Sequence, residues 1–408
     1  MRRNSFLTLV FAIAVFSCKA QLPFKYDNTV YKAVYLNEAF RLMDSLQGYL
    51  LLDVRSPGEY ADTSRSTALN IGRIKGALNI DIDAVPAHIP ELKKYIDQPV
   101  FIYCSHSQRS RRVSKLLAEN GFKKVYNING GMSVVNESDA RDFLYKKKVL
   151  ETNTNYKNIA STEAIDLITS TPDLLIIDIR TEKEFDSKDS LAQNNIGHLK
   201  NAINIPQDVF AKKISTLNLS KTRPVLLYDL NGYNSMDVVE DLRAKGFTRI
   251  YNLFEGLEPF ISDHALTGKL RSQLLTDEPA YHFVSPKATI ELLKKNPGLV
   301  ILDTRPSDEF ENKSSTSYLN LGILKGAISV PTPEALKKII QQKNKTTKFL
   351  VYGSGGNFST IACQELVKNG FKNVNHLRPS LYRFVWSTAN IENCKEGRQF
   401  LANHDGLY

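Results

Sequence analysis

The chain has 408 residues, of which 42% are hydrophobic and 24% are charged. This composition is typical of a globular protein, and it excludes both wholesale disorder and a polytopic membrane protein. At this length we expect three domains of roughly 100–150 residues each.

The basic surplus of the chain is modest, with a formal net charge of +10. The densest basic run is Lys146-Lys147-Lys148. It has no interleaved aromatic residue, so we expect a solvated linker and no nucleic-acid partner. A basic surface nevertheless attracts small anions.

The first 17 residues have the pattern of a signal peptide. Arg2 and Arg3 precede an apolar run over residues 6–16, which is too short for the ~20 residues of a membrane-spanning helix. Cys18 follows directly, and the segment resembles a bacterial lipobox, in which the cysteine receives a lipid. We therefore expect export to the bacterial cell envelope, a membrane anchor through lipidated Cys18, and a tether over residues 18–29. An ordinary secretory peptide cut nearby is the alternative.

A repeat runs through the rest of the chain at offsets of 125 residues. A strand-like segment, a turn and a second strand-like segment each recur in order. The three copies of the first strand-like segment are Leu51-Leu52-Asp53-Val54-Arg55, Ile176-Ile177-Asp178-Ile179-Arg180 and Ile301-Leu302-Asp303-Thr304-Arg305.

These short apolar runs, separated by helical patterns, predict buried strands of a parallel sheet. The predicted fold class is α/β, with three tandem domains that are each a mainly parallel sheet flanked by helices. The predicted domains cover residues 30–146, 155–268 and 281–402.

Cysteines are few, and none are spaced as C-x-x-C, so neither a zinc site nor a dithiol redox motif is indicated. We expect no metal and no cofactor. Their number at this length is no disulfide framework. Cys363 and Cys394 either pair in an oxidising compartment or remain as one buried and one surface thiol. The four cysteines are Cys18, Cys104, Cys363 and Cys394.

Cys104 directly follows the apolar strand of the first copy and precedes a helical pattern. In such a loop the backbone N–H groups curl inward over the helix N-terminus, where they bind anions and favour a thiolate. Arg109 closes the loop with a positive charge that favours an anionic substrate. Cys104 is thus the candidate nucleophile. The other candidate substrate-binding residues are Ser105, His106, Ser107, Gln108 and Arg109.

Over residues 30–140 the motifs of the first copy resemble the rhodanese family of sulfurtransferases. They are Asp53-Val54-Arg55, Gly72-Arg73-Ile74-Lys75-Gly76-Ala77, Cys104 with Arg109-Ser110, and Gly130-Gly131-Met132. Two positions depart from the family pattern, since Arg73 replaces the usual histidine and Ser107 stands where many active loops have glycine. Phosphatases use a loop that is one residue longer, C-x5-R, to surround a bulkier phosphoryl group. The C-x4-R spacing of Cys104 and Arg109 therefore fits sulfur better than phosphate.

The resemblance implies three rhodanese-like domains and a sulfurtransferase that works through a persulfide on Cys104. The thiolate would attack the outer sulfur of thiosulfate or a similar small anionic donor, and a thiol or cyanide acceptor would take that sulfur. Arg109 would orient the donor. Asp53 and Arg55 would be an ion pair that fixes the strand beneath the site. His106 is either a proton carrier or a solvated loop histidine.

The other two copies lack this chemistry. Asp229 and Gly353 occupy the cysteine position, and Asn234 and Phe358 replace the arginine. An aspartate there would fill an anion cradle permanently, whereas the glycine-rich third loop could still admit an anion. We expect both copies to be scaffolds that shape or shield the first site. The competing hypothesis is a non-catalytic binding or assembly protein, whose protein partner the sequence does not identify.

Overall fold

The computed structural model describes residues 26–263, 266 and 268–403. The predicted signal peptide, Cys18 and most of the predicted tether lie outside the described residues. Within them, no helix has both the length and the apolar character that crossing a membrane requires.

Three five-stranded parallel sheets follow one another along the chain, which confirms the predicted α/β class with three tandem domains. Numbered one to five within each domain, the strands lie in the order 1-5-4-2-3 in every sheet. The strands are Lys32–Val34, Leu50–Asp53, Leu78–Asn79, Pro99–Tyr103 and Lys124–Ile128; then Lys157–Ile159, Leu175–Asp178, Ile203–Asn204, Val225–Tyr228 and Ile250–Leu253; then His282–Val284, Val300–Asp303, Ile328–Ser329, Lys348–Tyr352 and Asn373–Leu377.

Helices cover the sheets, because parallel strands need crossover connections. The α-helices are Leu36–Asp44, Pro57–Tyr60, Val85–Leu92, Gln108–Glu119, Gly131–Glu137 and Lys146–Val149; then Ser161–Ser170, Glu182–Phe185, Phe210–Thr216, Asn234–Ala244, Leu257–Ser262 and Gly268–Leu274; then Pro286–Lys295, Ser307–Phe310, Pro333–Gln342, Asn357–Lys368 and Leu381–Asn390. Short 3-10 helices are Thr67–Leu69, Lys93–Tyr95, Ala192–Asn194, Gln207–Val209, Ser317–Leu319 and Glu392–Phe400.

In domains one and two the fourth strand is buried along its whole length, as a continuous apolar run covered on both faces should be. Every residue of Pro99–Tyr103 and of Val225–Tyr228 is buried. These two strands end at equivalent loops, one beginning with Cys104 and the other with Asp229. The sheets therefore place the repeated loops at the carboxyl ends of central strands, the usual edge for ligands in α/β proteins.

A short antiparallel ribbon closes each domain where the sequence predicted a linker or an end. The pairs are Arg73–Ile74 with Leu150–Glu151, His198–Leu199 with Leu275–Thr276, and Ile323–Leu324 with Leu401–Ala402. Gly72 approaches the first ribbon at a φ of +74°, and a side chain there would collide with the Glu151 carbonyl oxygen. The returning strands explain why a glycine recurs at this point of each repeat.

The three domains pack against one another. One hydrophobic cluster joins residues of domains two and three, including Phe260 and Phe349. Another belongs to domain one but also contains Trp386 of the helix Leu381–Asn390. Arg383 of that helix forms ion pairs with Glu137 of domain one and Glu255 of domain two. A single residue of domain three therefore contacts both other domains.

Two expectations outside the candidate site are wrong. Lys146 is buried, and its Nζ pairs with the Glu163 carboxylate of domain two at 2.8 Å, so the basic run is not a wholly solvated linker. Cys363 and Cys394 are free thiols, and both are buried. Neither is the expected surface thiol, because each lies within an apolar cluster of domain packing.

Candidate functional site

In every domain a buried ion pair lies at the end of the second strand, next to the fourth strand, which leads into the repeated loop. In domain one Arg55 Nη2 lies 2.7 Å from Asp53 Oδ2 and also donates to the Gly72 carbonyl oxygen at 2.8 Å. The other copies repeat it as Asp178 with Arg180 and Asp303 with Arg305. Since the pair persists in domains without the cysteine, its contacts belong to the shared scaffold.

The loop that begins with Cys104 is held from behind by the helix that follows the fifth strand. The Met132 N–H donates to the Cys104 carbonyl oxygen at 2.9 Å, and the Ser133 N–H donates to the Ser105 carbonyl oxygen at 3.0 Å. Gly131 has a φ of +53°, and a side chain there would overlap the Cys104 carbonyl oxygen. The two carbonyl groups therefore point out of the loop, and they leave its inner side to N–H groups.

Ser107 adopts the left-handed conformation, with a φ of +74°, at the turn of the loop into the helix Gln108–Glu119. This conformation suits glycine best, which explains why a glycine was expected there. The Ser107 hydroxyl is buried and accepts a hydrogen bond from the Gly130 N–H. His106 and Gln108, on either side of it, are exposed at the mouth of the loop.

Domain two shows what this loop geometry binds. Asp229, at the cysteine position, accepts hydrogen bonds through its carboxylate from the N–H groups of Gly232 and Asn234, the latter at 2.8 Å. Burial raises the pKa of Asp229, and these N–H groups act against that rise. The carboxylate occupies the cradle as the sequence predicted. In domain one the equivalent N–H groups belong to Ser107 and Arg109.

Arg109 is already paired with a carboxylate of its own domain. Its Nη1 lies 2.6 Å from Glu59 Oε2, its Nη2 lies 2.7 Å from Glu59 Oε1, and Nη2 also donates to the Ser105 hydroxyl at 2.9 Å. Burial alone would raise the pKa of Glu59, but the Arg109 guanidinium holds that pKa below its usual range. The positive charge of Arg109, which the sequence predicts to bind the donor anion, is thus partly neutralised by Glu59.

The family relationship agrees with this geometry. The rhodanese-like domain model matches residues 37–138, 161–263 and 285–385, which together are more than half of the chain. The protein belongs to the rhodanese-like domain family. The match confirms the resemblance and the three tandem copies.

Curated relatives of this rhodanese-like protein match at low identity. An uncharacterised protein of Bacillus subtilis (strain 168) is 36% identical over 81 residues, which are 20% of this chain and 56% of that protein. A tRNA uridine(34) hydroxylase of Acinetobacter baumannii (strain AYE) is 26% identical over 210 residues, with 46% and 62% covered. Thiosulfate sulfurtransferase GlpE of Shewanella oneidensis is 29% identical over 82 residues, with 20% and 79% covered. The chain thus spans less than two thirds of the first two proteins.

The third rhodanese-like domain keeps the glutamate but has lost its arginine. Glu309 is equivalent to Glu59, and it is buried while Phe358 occupies the arginine position. Burial raises the pKa of Glu309. A cavity of about 260 Å³ opens over this loop between Thr304 and Ser359. Without an arginine, the pKa of the domain-three carboxylate is therefore raised, whereas Arg109 lowers the pKa of the equivalent Glu59 in domain one.

His106 lies at a larger cavity of about 370 Å³, where the three rhodanese-like domains meet. Tyr233 of domain two and Arg383 of domain three also line it. The surroundings desolvate the imidazole, and together with the charges of Arg383 and Arg109 they lower the pKa of His106 to about 4. The side chain is therefore neutral at pH 7, although it is not enclosed.

The loop carries the residues predicted for the site, and Cys104, at its start, is 1% exposed. Sequence reasoning missed Glu59 and Trp386. Glu59 begins an acidic-aromatic pair, Glu59-Tyr60, which recurs as Glu184-Phe185 and Glu309-Phe310, but its partner Arg109 lies 50 positions away. Trp386 had no signal, because only domain packing brings it to the loop. No group of three or more metal-ligating side chains was found among the described residues.

Proposed function

We propose that the protein is a sulfurtransferase that carries sulfur on Cys104. The observation behind this is the cradle seen in domain two, where the N–H groups of Gly232 and Asn234 hold a carboxylate. In domain one the equivalent positions, Ser107 and Arg109, surround a cysteine. Such N–H groups stabilise both a thiolate and a bound anion. The family and its sulfurtransferase members support the same chemistry.

The reaction would proceed in two displacements. The Cys104 thiolate attacks the outer sulfur of thiosulfate, a new S–S bond forms, and sulfite leaves with the electron pair of the old bond. An acceptor thiolate or cyanide then attacks the outer sulfur of the Cys104 persulfide. The product is a persulfide or thiocyanate, and the Cys104 thiolate is regenerated. Because the pKa of His106 is about 4, that residue would remain neutral throughout.

Intact mass spectrometry tests the proposal. Incubation with thiosulfate should add one sulfur atom, about 32 mass units, at Cys104. The Cys104→Ser variant is the matched control and should show no adduct. Mercaptopyruvate and persulfide donors are run in parallel. If Cys104 reacts with an alkylating reagent but gains sulfur from none of the donors, the protein is not a sulfurtransferase.

A non-catalytic binding or assembly protein is the second candidate function. Two observations favour it: both terminal nitrogens of Arg109 are engaged by Glu59, and two domains lack the cysteine. This function predicts that Cys104→Ser leaves every property of the protein unchanged except its alkylation. Thiocyanate formation from thiosulfate and cyanide, lost in Cys104→Ser, excludes it.

We also propose that the protein is exported and anchored to a membrane of the bacterial cell envelope through lipidated Cys18. The support is the leader sequence alone, with Arg2 and Arg3, the apolar run and the cysteine that follows. Labelled fatty acid should enter the wild-type protein and not the Cys18→Ser variant. Equal labelling of both proteins would show that Cys18 is not the anchor.

A further inference from the structure

Trp386, the only tryptophan of the chain, lies against the loop of domain one although it belongs to domain three. Its Nε1–H donates to the His106 carbonyl oxygen at 3.4 Å, which is longer than the usual ~2.7–3.2 Å of such a bond. The indole is 6% exposed and packs within the apolar cluster of domain one. The helix Leu381–Asn390 thus places a side chain against the loop that carries the candidate nucleophile.

This contact fixes the orientation of one peptide unit. The C=O and N–H groups of a planar trans peptide unit point in opposite directions. Since the His106 carbonyl group is turned towards Trp386, the N–H group of Ser107 is turned away from it. The equivalent N–H group in domain two, that of Gly232, donates to the Asp229 carboxylate. Trp386 therefore acts on a donor that domain two identifies as part of the cradle.

Asn390 supplies a second contact from the same helix. Its Oδ1 accepts hydrogen bonds from the Gly130 N–H and from Arg111 Nη1, both at 3.1 Å. The Gly130 N–H also donates to the Ser107 hydroxyl, so Asn390 is linked to the turn of the loop through Gly130. Asn390 Nδ2 donates to the Trp386 carbonyl oxygen at 2.8 Å. The two residues act on the loop as one buried unit.

The two loops differ in what keeps them in shape. In domain two the Asp229 carboxylate binds the inner N–H groups and holds the loop from inside. In domain one the cradle must be preorganised while it is free to receive an anion, so it needs support from outside. In both domains the helix after the fifth strand supports the first two carbonyl groups of the loop from behind. In domain one, domain three also supports the third carbonyl group, that of His106.

We propose that domain three completes the anion cradle of domain one, with Trp386 and Asn390 as positioning residues. Both act through the backbone of residues 106–107 and 130. This inference rests on the proposed function for its consequence, because the anion held in the cradle would be the sulfur donor. It gives the cysteine-free third domain a defined part in the first site.

The Trp386→Phe variant of the full chain tests the proposal, because it removes the N–H donor and keeps an aromatic ring. The midpoint of the pH profile for Cys104 alkylation by iodoacetamide should move to higher pH. The KM for thiosulfate should rise roughly 2- to 10-fold, the range expected for one hydrogen bond, with a smaller change in kcat. The Asn390→Ala variant should shift both quantities in the same direction.

The Asn393→Ala variant is the control. Asn393 donates to Asp142 Oδ1 at 3.2 Å across the same pair of domains but does not touch the loop, so its profile should match that of the wild type. If Trp386→Phe and Asn390→Ala, with unchanged melting temperatures, leave both the alkylation midpoint and the KM unchanged, the positioning role is refuted.

A second measurement covers the case in which a variant fails to fold. Because Trp386 is the only tryptophan, its emission in the wild-type protein reports on the contact with the loop. Alkylation of Cys104 should change that emission, and Cys104→Ser treated in the same way should show no change. An unchanged emission at full alkylation counts against the proposal. Alkylation requires no sulfur transfer, so failure of the proposed function is distinguishable from failure of this inference.

Discussion

Arg109 and Glu59 form a two-point ion pair at the mouth of the loop, with Nη–Oε distances of 2.6 and 2.7 Å. Glu59 is buried, and it also accepts a hydrogen bond from the Ser56 N–H. The pair therefore joins the end of the loop to the helix Pro57–Tyr60. A donor anion would meet an arginine whose positive charge is partly neutralised by the Glu59 carboxylate.

Removing Arg109 should harm donor binding in two ways. Arg109→Ala removes a positive charge and leaves Glu59 buried beside an anion site. We expect the KM for thiosulfate to rise at least about tenfold, the effect of losing a charge-assisted hydrogen bond. Adding Glu59→Gln should recover part of this loss, because glutamine keeps the acceptor for Ser56 without the charge. Steady-state kinetics of the two single variants and the double variant form the cycle.

Within that cycle, the single variant Glu59→Gln tests most directly whether Glu59 weakens donor binding by neutralising Arg109. It leaves Arg109 with an uncompensated charge near the cradle, so the KM for thiosulfate should fall below that of the wild type. A KM for Glu59→Gln equal to or above that for Arg109→Ala would mean that the ion pair serves only to hold the loop in place.

Ser107 offers a test of loop strain. Ser107→Ala keeps a side chain in the left-handed conformation and loses the hydroxyl that accepts from Gly130, so we expect it to cost about 1 kcal/mol. Ser107→Gly loses the same hydroxyl but relieves the strained φ of +74°. The glycine variant should therefore melt at a higher temperature than the alanine variant. The reverse order would show that the loop does not hold position 107 in this conformation.

Asp229 allows the cradle to be emptied without touching Cys104. Asp229→Ala leaves the N–H groups of Gly232 and Asn234 without their acceptor, at a cost of about 1–3 kcal/mol. Sulfate should then raise the melting temperature of this variant more than that of the wild type, because it fills the vacated cradle. Asp229→Asn is the control, since the amide oxygen still occupies the site. Equal sulfate dependence in all three proteins would mean that the loop is no anion cradle.

The repeat made much of the fold predictable. Strands such as Leu50–Asp53 are apolar because they are buried on both faces, and this local pattern survives in the sequence. The ribbon strand Leu150–Glu151 falls in a predicted linker, because two residues carry no periodicity and their pairing depends on a distant partner. The prediction for Lys146 is wrong for the same reason, since its carboxylate partner Glu163 belongs to the next domain.

The candidate site was predictable only where it is local. The cysteine, the loop and the inward N–H groups follow from a strand, a turn and a helix that are adjacent in the chain. The partner of Arg109 comes from another crossover of the same domain, and Trp386 comes from another domain altogether. Contacts of this kind depend on packing between elements, and a single sequence carries no direct record of them.

His376 gives the last prediction, which concerns acid stability. It lies in the register position that Asn127 and Asn252 occupy in the other two sheets. It is 1% exposed, its Nε2 lies 3.0 Å from the Ser359 hydroxyl, and burial lowers its pKa to about 3. An unfolded histidine has a pKa of about 6.5, so between these values the unfolded chain binds more protons than the folded one.

The free energy of unfolding of domain three should therefore fall as the pH drops below about 6.5, by at most ~1.4 kcal/mol per pH unit from this residue. The His376→Asn variant carries the residue that the other two domains have at this position. In domain one that residue, Asn127, accepts a hydrogen bond from the Ser110 hydroxyl at 2.6 Å. Asparagine has no imidazole to protonate. Hydrogen exchange of the strand Asn373–Leu377 is the measurement, made on both proteins at pH 7.5 and pH 5. Above pH 6.5 the difference in protection should be constant. At pH 5 the protection of the wild type should have fallen relative to that of the variant. A difference in protection that is independent of pH would show that the buried imidazole does not make this domain sensitive to acid.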